Sequence, residues 1–138
     1  MARMKINRFD FPAEEEGLTL YVHGTTASDL EERFYRACKG AGMRDEDISF
    51  QVEFSTVVSI PEEDKVVDFV IHQGRSYPVD IDGEIGHKTE AQKASDQVRE
   101  VLLNEIFSRR GMALLQRVSW PELQTQELAD AVVKRMFG

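Results

Sequence analysis

The segment from Val66 to Ile81 most constrains the fold, because it has the pattern of two strands joined by a tight turn. Residues 66–71 are mostly apolar and rich in valine, which is typical of a buried strand. Gly74 lies in the short turn that follows and supplies the backbone conformation that such a turn needs. Residues 77–81 then form a second strand, which we expect to pair back as a hairpin.

Helical and strand-like segments flank this hairpin on both sides. Ser28 and Glu31 have the spacing of a capping box, which predicts that a helix begins there and ends at Gly40. The other predicted strands cover 18–22, 48–60 and 112–118, and the other predicted helices cover 93–109 and 127–137. The order β-α-β-β-β-α-β-α predicts an α/β fold with helices on a mixed central sheet.

The helix predicted over 93–109 has an apolar face at helical spacing. The residues at that spacing are Ala94, Val98, Val101, Leu102, Glu105 and Ile106. This pattern predicts the helix itself.

Length and composition place the chain among small globular proteins. Its 138 residues predict one domain, with 1–25 as an N-terminal extension carrying an edge strand and 26–138 as the core. A single cysteine excludes an internal disulfide framework, and no apolar run is long enough for a membrane span, so we expect a cytoplasmic protein with no membrane partner. The net charge of −8 argues against non-specific binding to nucleic acid. Most of the acid excess lies in residues 1–69, so a basic surface would have to come from the second half.

Carboxylates interrupt both strands of the predicted hairpin. Asp68 and Asp80 lie on the two adjacent strands and could converge at one end of the sheet. Asp82 follows Asp80 by two residues and therefore lies on the same face of its strand. Carboxylates on buried strands are usually paired or bind a metal, and oxygen ligands suit Mg²⁺ or Mn²⁺.

These motifs resemble those of the PD-(D/E)XK nuclease superfamily, nearest to the very-short-patch-repair endonuclease-like group. The resemblance covers roughly residues 26–137 and is carried by Asp68-Phe69, by Asp80-Ile81-Asp82-Gly83 with His87, and by Asp96-x-x-Arg99. It implies a restriction-endonuclease-like three-layer sandwich with a central mixed sheet flanked by helices. It also implies a magnesium-dependent endodeoxyribonuclease. The sequence departs from the pattern where Val67 replaces Pro and where Asp82 replaces the catalytic Lys of the wider superfamily.

The resemblance implies a role for each candidate residue. Mg²⁺ or Mn²⁺ would be held by Asp68, Asp80 and the carbonyl of Ile81, and His87 or Lys88 would orient or deprotonate the attacking water. The residues that the resemblance assigns to catalysis are Asp68, Asp80, Asp82, His87 and Glu31, and those that it assigns to nucleic-acid binding are Lys88, Lys93, Arg99 and Arg117.

Each of these roles has a structural alternative. Glu31 is equally compatible with a role in the capping box alone, and Asp82 with Gly83 is an ordinary turn signal. His87 is equally compatible with a surface loop. Arg99 lies three residues after Asp96 and could form an ion pair within the helix.

Three hypotheses follow for the function. The first is a metal-dependent endonuclease that acts on DNA. The second is a catalytically inactive nuclease-fold module that binds a protein partner within a larger complex, which the acidic charge and the missing Lys favour. The third is an α/β scaffold without a site, which requires Asp68 and Asp80 to point apart.

Overall fold

A computed structural model describes residues 17–56, 59–83 and 88–138. The described residues form an α/β structure with short 3₁₀ turns between some of the elements. The strands are β1 (Tyr21–Val22), β2 (Thr25–Thr26), β3 (Ile48–Glu53), β4 (Val66–Gln73), β5 (Arg75–Asp82) and β6 (Gln116–Ser119), and the helices are α1 (Asp29–Gly40), α2 (Glu90–Arg109) and α3 (Gln126–Phe137). Within these residues, no helix is both long and apolar enough to cross a membrane.

Four strands form a mixed sheet in the order β3-β4-β5-β6. The predicted hairpin is confirmed: β4 and β5 are antiparallel, with Phe69 opposite Val79 and Ile71 opposite Tyr77. The turn is tighter than predicted, because both strands continue up to Gly74, which has φ +81°. The predicted α/β class with a mixed sheet and helices is therefore confirmed.

The chain divides into two compact units. Within the described residues, one unit comprises 17–46, 81–83 and 118–138, and the other comprises 47–56, 59–80 and 88–117.

The first unit contains α1 and α3. The predicted capping box is present: the Ser28 hydroxyl accepts from the Glu31 amide at 3.1 Å, and the Glu31 carboxylate accepts from the Ser28 amide at 2.8 Å. Arg33 is fully buried, and its guanidinium donates to Asp29 Oδ2 at 3.0 Å and to the Leu123 carbonyl at 3.1 Å. This arginine therefore links α1 to the chain just before α3.

The second unit packs α2 on the sheet through a small apolar core. Its buried members are Phe54, Val67, Val70, Leu103, Phe107 and Leu115. The rings of Phe54 and Phe107 pack edge to face with centroids 5.0 Å apart, a favoured aromatic geometry.

Of the residues whose spacing predicted this helix, Ile106 packs against the core, but others do not. Val98 and Val101 are 56% and 67% exposed, whereas Leu103 and Phe107 are fully buried. Two apolar stripes run along α2, and the one with the larger side chains is buried because it removes more apolar surface from water.

Three predicted strands are shorter in the structure. Residues 18–20 are outside β1, since the amides of Thr19 and Leu20 donate to the Glu32 carboxylate instead of to a strand. Beyond Glu53 no strand continues through the described residues up to 60. Residues 112–115 precede β6, because the amides of 113 and 115 donate to the Ser76 carbonyl and to the Asn104 side chain.

Candidate functional site

The two carboxylates predicted to converge are cross-strand neighbours. The antiparallel register of the hairpin extends to Phe69 opposite Val79, and Asp68 on β4 and Asp80 on β5 are the next residues along the two strands. The Asp68 amide donates to Asp80 Oδ1 at 3.3 Å. If the register continues by one more pair, the two carboxylates project from the same face of the hairpin.

Asp80 forms an ion pair with Arg99 of α2. Arg99 Nη1 donates to Asp80 Oδ2 at 2.5 Å, and the two side chains are 13% and 12% exposed. The same guanidinium donates through Nε to the Asp64 carbonyl and through Nη2 to the Val66 carbonyl, each at 2.9 Å. Arg99 therefore ties α2 to the start of β4 and to β5 with three charge-assisted hydrogen bonds.

The other charged residue of the motif Asp96-x-x-Arg99 also has a partner outside α2. Asp96 Oδ2 accepts from Lys88 Nζ at 2.6 Å, and both side chains are partly exposed. The alternative of an ion pair between Asp96 and Arg99 within α2 is therefore not observed, and each residue contacts a residue outside the helix. Arg99 donates to protein acceptors in this structure, and its contact with nucleic acid stays a prediction.

The remaining predicted cations border an open groove of about 270 Å³ beside α2. Its lining residues are Lys88, Lys93, Asp96, Gln97, Glu100 and Arg117. Arg117 Nε donates to Glu100 Oε1 at 2.9 Å, and Lys93 Nζ lies 3.2 Å from Glu90 Oε2. The groove therefore has mixed charge, with three of the four predicted nucleic-acid contacts along it.

The structure places the other predicted site residues separately. Ile81 and Asp82 are half-buried at the end of β5, directly after Asp80. The Glu31 carboxylate is part of the capping box of α1. Ile81, Asp82 and Glu31 belong to the first compact unit, whereas Asp68 and Asp80 belong to the second. His87 lies outside the described residues.

Gln51 has an unusual backbone conformation within β3. Its φ of +53° is uncommon for a residue other than glycine. The flanking pairs, Phe50 with Phe69 and Val52 with Val67, place it level with Asp68 on the neighbouring strand. Strained positions of this kind concentrate at functional sites.

The donor chemistry of the hairpin fits a divalent cation. Among residues 17–56, 59–83 and 88–138, no group of three or more His, Cys, Asp or Glu side chains could hold a metal ion. Mg²⁺, however, commonly takes one or two carboxylates and keeps several water ligands. Asp68 and Asp80 supply two carboxylates. Arg99 is the present partner of Asp80 Oδ2 and would have to share or release it.

Sequence reasoning missed three contacts of the site. The carbonyls of Asp64 and Val66, which accept from Arg99, carry no sequence signal because every residue has a carbonyl. Glu100, the partner of Arg117, lies four residues after Asp96, but this spacing of two acids does not indicate a basic partner 17 residues away.

Comparisons with known proteins found no match to this chain among family models, curated proteins or solved structures.

Proposed function

We propose that this chain is a metal-dependent endonuclease that hydrolyses phosphodiester bonds in DNA, on a restriction-endonuclease-like three-layer sandwich. The observation that carries the proposal is the contact between Asp68 and Asp80 on adjacent strands of a central hairpin, where the Asp68 amide lies 3.3 Å from Asp80 Oδ1. Carboxylates rarely occupy strands this buried unless a partner or a metal requires them.

The proposed roles follow from the position of each residue. Asp68, Asp80 and the Ile81 carbonyl would hold Mg²⁺ or Mn²⁺. Such an ion, when bound, polarises a phosphoryl oxygen and lowers the pKa of a water ligand. Lys93 and Arg117 border the groove, where they would position the phosphate backbone without reading base sequence.

Two further residues would orient the attacking water. His87 and Lys88 are the candidates, in the place of the Lys that the wider superfamily uses. Lys88 Nζ is held by Asp96 at 2.6 Å, so this contact would fix its position beside the groove. Asp82 shares a face with Asp80 and would support the ligand set from the same strand.

Nicking of supercoiled plasmid in the presence of Mg²⁺ or Mn²⁺ tests this function. We expect nicking by the wild type and its loss in Asp68→Ala and Asp80→Ala. Asp130→Ala is the matched control, because Asp130 is an exposed acid on α3. Equal nicking by the wild type and Asp68→Ala at high enzyme concentration would mean that the activity belongs to a contaminant, and the proposal would fail.

A second candidate is a non-catalytic nuclease-fold module that binds a protein partner in a larger complex. The ion pair between Asp80 and Arg99 favours it, because a carboxylate already neutralised by a guanidinium needs no metal. Calorimetric titration with Mn²⁺ separates the two candidates. Tight binding that Asp80→Ala abolishes supports the nuclease and counts against the module.

A further inference from the structure

Helix α2 presents two opposite charges, three residues apart, to two residues of the candidate site. Asp96 contacts Lys88 at 2.6 Å, and Arg99 contacts Asp80 at 2.5 Å. The second contact is the more buried of the two, since neither side chain of that pair exceeds 13% exposure. Interactions between charges are screened least where burial is greatest, so Arg99 has the stronger influence on the site.

The surroundings of Arg99 leave its guanidinium little freedom. Besides Asp80, it donates to the backbone carbonyls of Asp64 and Val66, at the end of one turn and the start of β4. These two bonds hold the positive charge beside Asp80. Without that charge, the Asp80 carboxylate would be buried with no full counter-charge, which is strongly unfavourable.

We propose that Arg99 is the resident counter-ion of the candidate cation site. It compensates Asp80 before a divalent cation binds, and it competes with that cation for the same carboxylate oxygen. The charge on Arg99 therefore sets the affinity of the site for a cation. A cation can bind Asp80 only by weakening the ion pair between Asp80 and Arg99. This inference rests on the proposed function, because it assumes that Asp80 is a metal ligand.

Calorimetric titration of the full chain with Mn²⁺ measures this competition. Arg99→Gln removes the charge, and we expect it to bind Mn²⁺ about tenfold more tightly than the wild type, a difference of about 1.4 kcal/mol. Arg99→Lys keeps the charge and should return the affinity to within about threefold of the wild type, roughly 0.7 kcal/mol. Arg109→Gln is the matched control, since Arg109 pairs with Glu105 on the exposed part of the same helix.

A second measurement uses the wild type alone and does not depend on the folding of any variant. The Nε–H of Arg99 donates to the Asp64 carbonyl, so its nuclear magnetic resonance signal reports on the guanidinium. We expect this signal to shift as Mg²⁺ saturates the protein. An unmoved signal under saturating Mg²⁺, with binding shown by calorimetry, would overturn the inference.

The outcomes separate this inference from the proposed function. Mn²⁺ binding that depends on Asp80 but is equal in the wild type and Arg99→Gln makes Arg99 a structural crosslink only, and leaves the nuclease proposal standing. Absence of Mn²⁺ binding in both proteins removes the metal site and the inference together.

Discussion

The ion pair between Asp80 and Arg99 should couple the stabilities of β5 and α2. Removing one member of a fully buried pair costs about 3–5 kcal/mol, because the other charge is left uncompensated. Both side chains keep slightly more than a tenth of their exposure, so we expect about 2 kcal/mol for Asp80→Asn. Arg99→Gln should cost about 3 kcal/mol, since it also weakens the bonds to two backbone carbonyls. The double variant should cost little more than Arg99→Gln, which gives a coupling energy of about 2 kcal/mol.

Amide hydrogen exchange is the suitable assay, because the chain has two compact units and one global transition would average them. Protection of the β4 and β5 amides gives the opening free energy beside the pair in each of the four proteins of the cycle. Trp120 lies in the other unit, so its fluorescence during urea unfolding shows whether a variant also perturbs that unit.

The exposed pair of Arg109 with Glu105 supplies the control cycle. It also belongs to α2 and has a short distance, 2.6 Å, but both side chains are more than half exposed. Exposed helical pairs of this kind contribute about 0.3–0.5 kcal/mol. If the Asp80–Arg99 coupling were no larger than this value, burial would not govern the pair and the reasoning would be refuted.

Three further predictions concern the packing and the helix ends. Leu103→Ala should lower the free energy of unfolding by about 3 kcal/mol while Val101→Ala changes it by less than about 0.5, and equal losses in urea titrations would contradict the observed face of α2. Burial raises the pKa of the Cys38 thiol to about 12, so we expect no reaction with a thiol reagent at pH 8 until urea unfolds the chain, and rapid labelling of the native protein would disprove this. Ser28→Ala should lower the free energy of unfolding by about 1 kcal/mol in thermal melts, because it removes the N-cap of α1. Ser28→Asp restores an acceptor and should recover most of that loss.

Local signals were sufficient for the elements that depend on near neighbours. Gly74 and the apolar residues around it predicted the hairpin, because the turn and the strand pattern lie within about 16 residues of sequence. Ser28 and Glu31 predicted the start of α1, because a capping box is complete within four residues. In both cases the atoms that decide the structure belong to the segment itself.

The face of α2 could not be chosen from its own sequence. Val98 and Val101 have the correct helical spacing, but so do Leu103 and Phe107, and periodicity does not rank two stripes. The choice depends on what the sheet offers opposite the helix. Phe54, the residue after β3, packs its ring against Phe107 with 5.0 Å between centroids. These two residues are more than 50 positions apart in the sequence.

The motif Asp96-x-x-Arg99 shows why the charges of the site had to be located by structure. Two opposite charges at this spacing are equally compatible with an ion pair inside the helix and with two separate tertiary pairs. Arg99 pairs with Asp80 because Asp80 would otherwise be buried without compensation. A pair of Asp96 with Arg99 within the helix would only join two charges that water solvates well. The same physical argument gives the motif its meaning for function. If Asp80 binds a divalent cation, as we propose, the residue that compensates its burial in the free protein also repels that cation, and Arg99 then weakens cation binding.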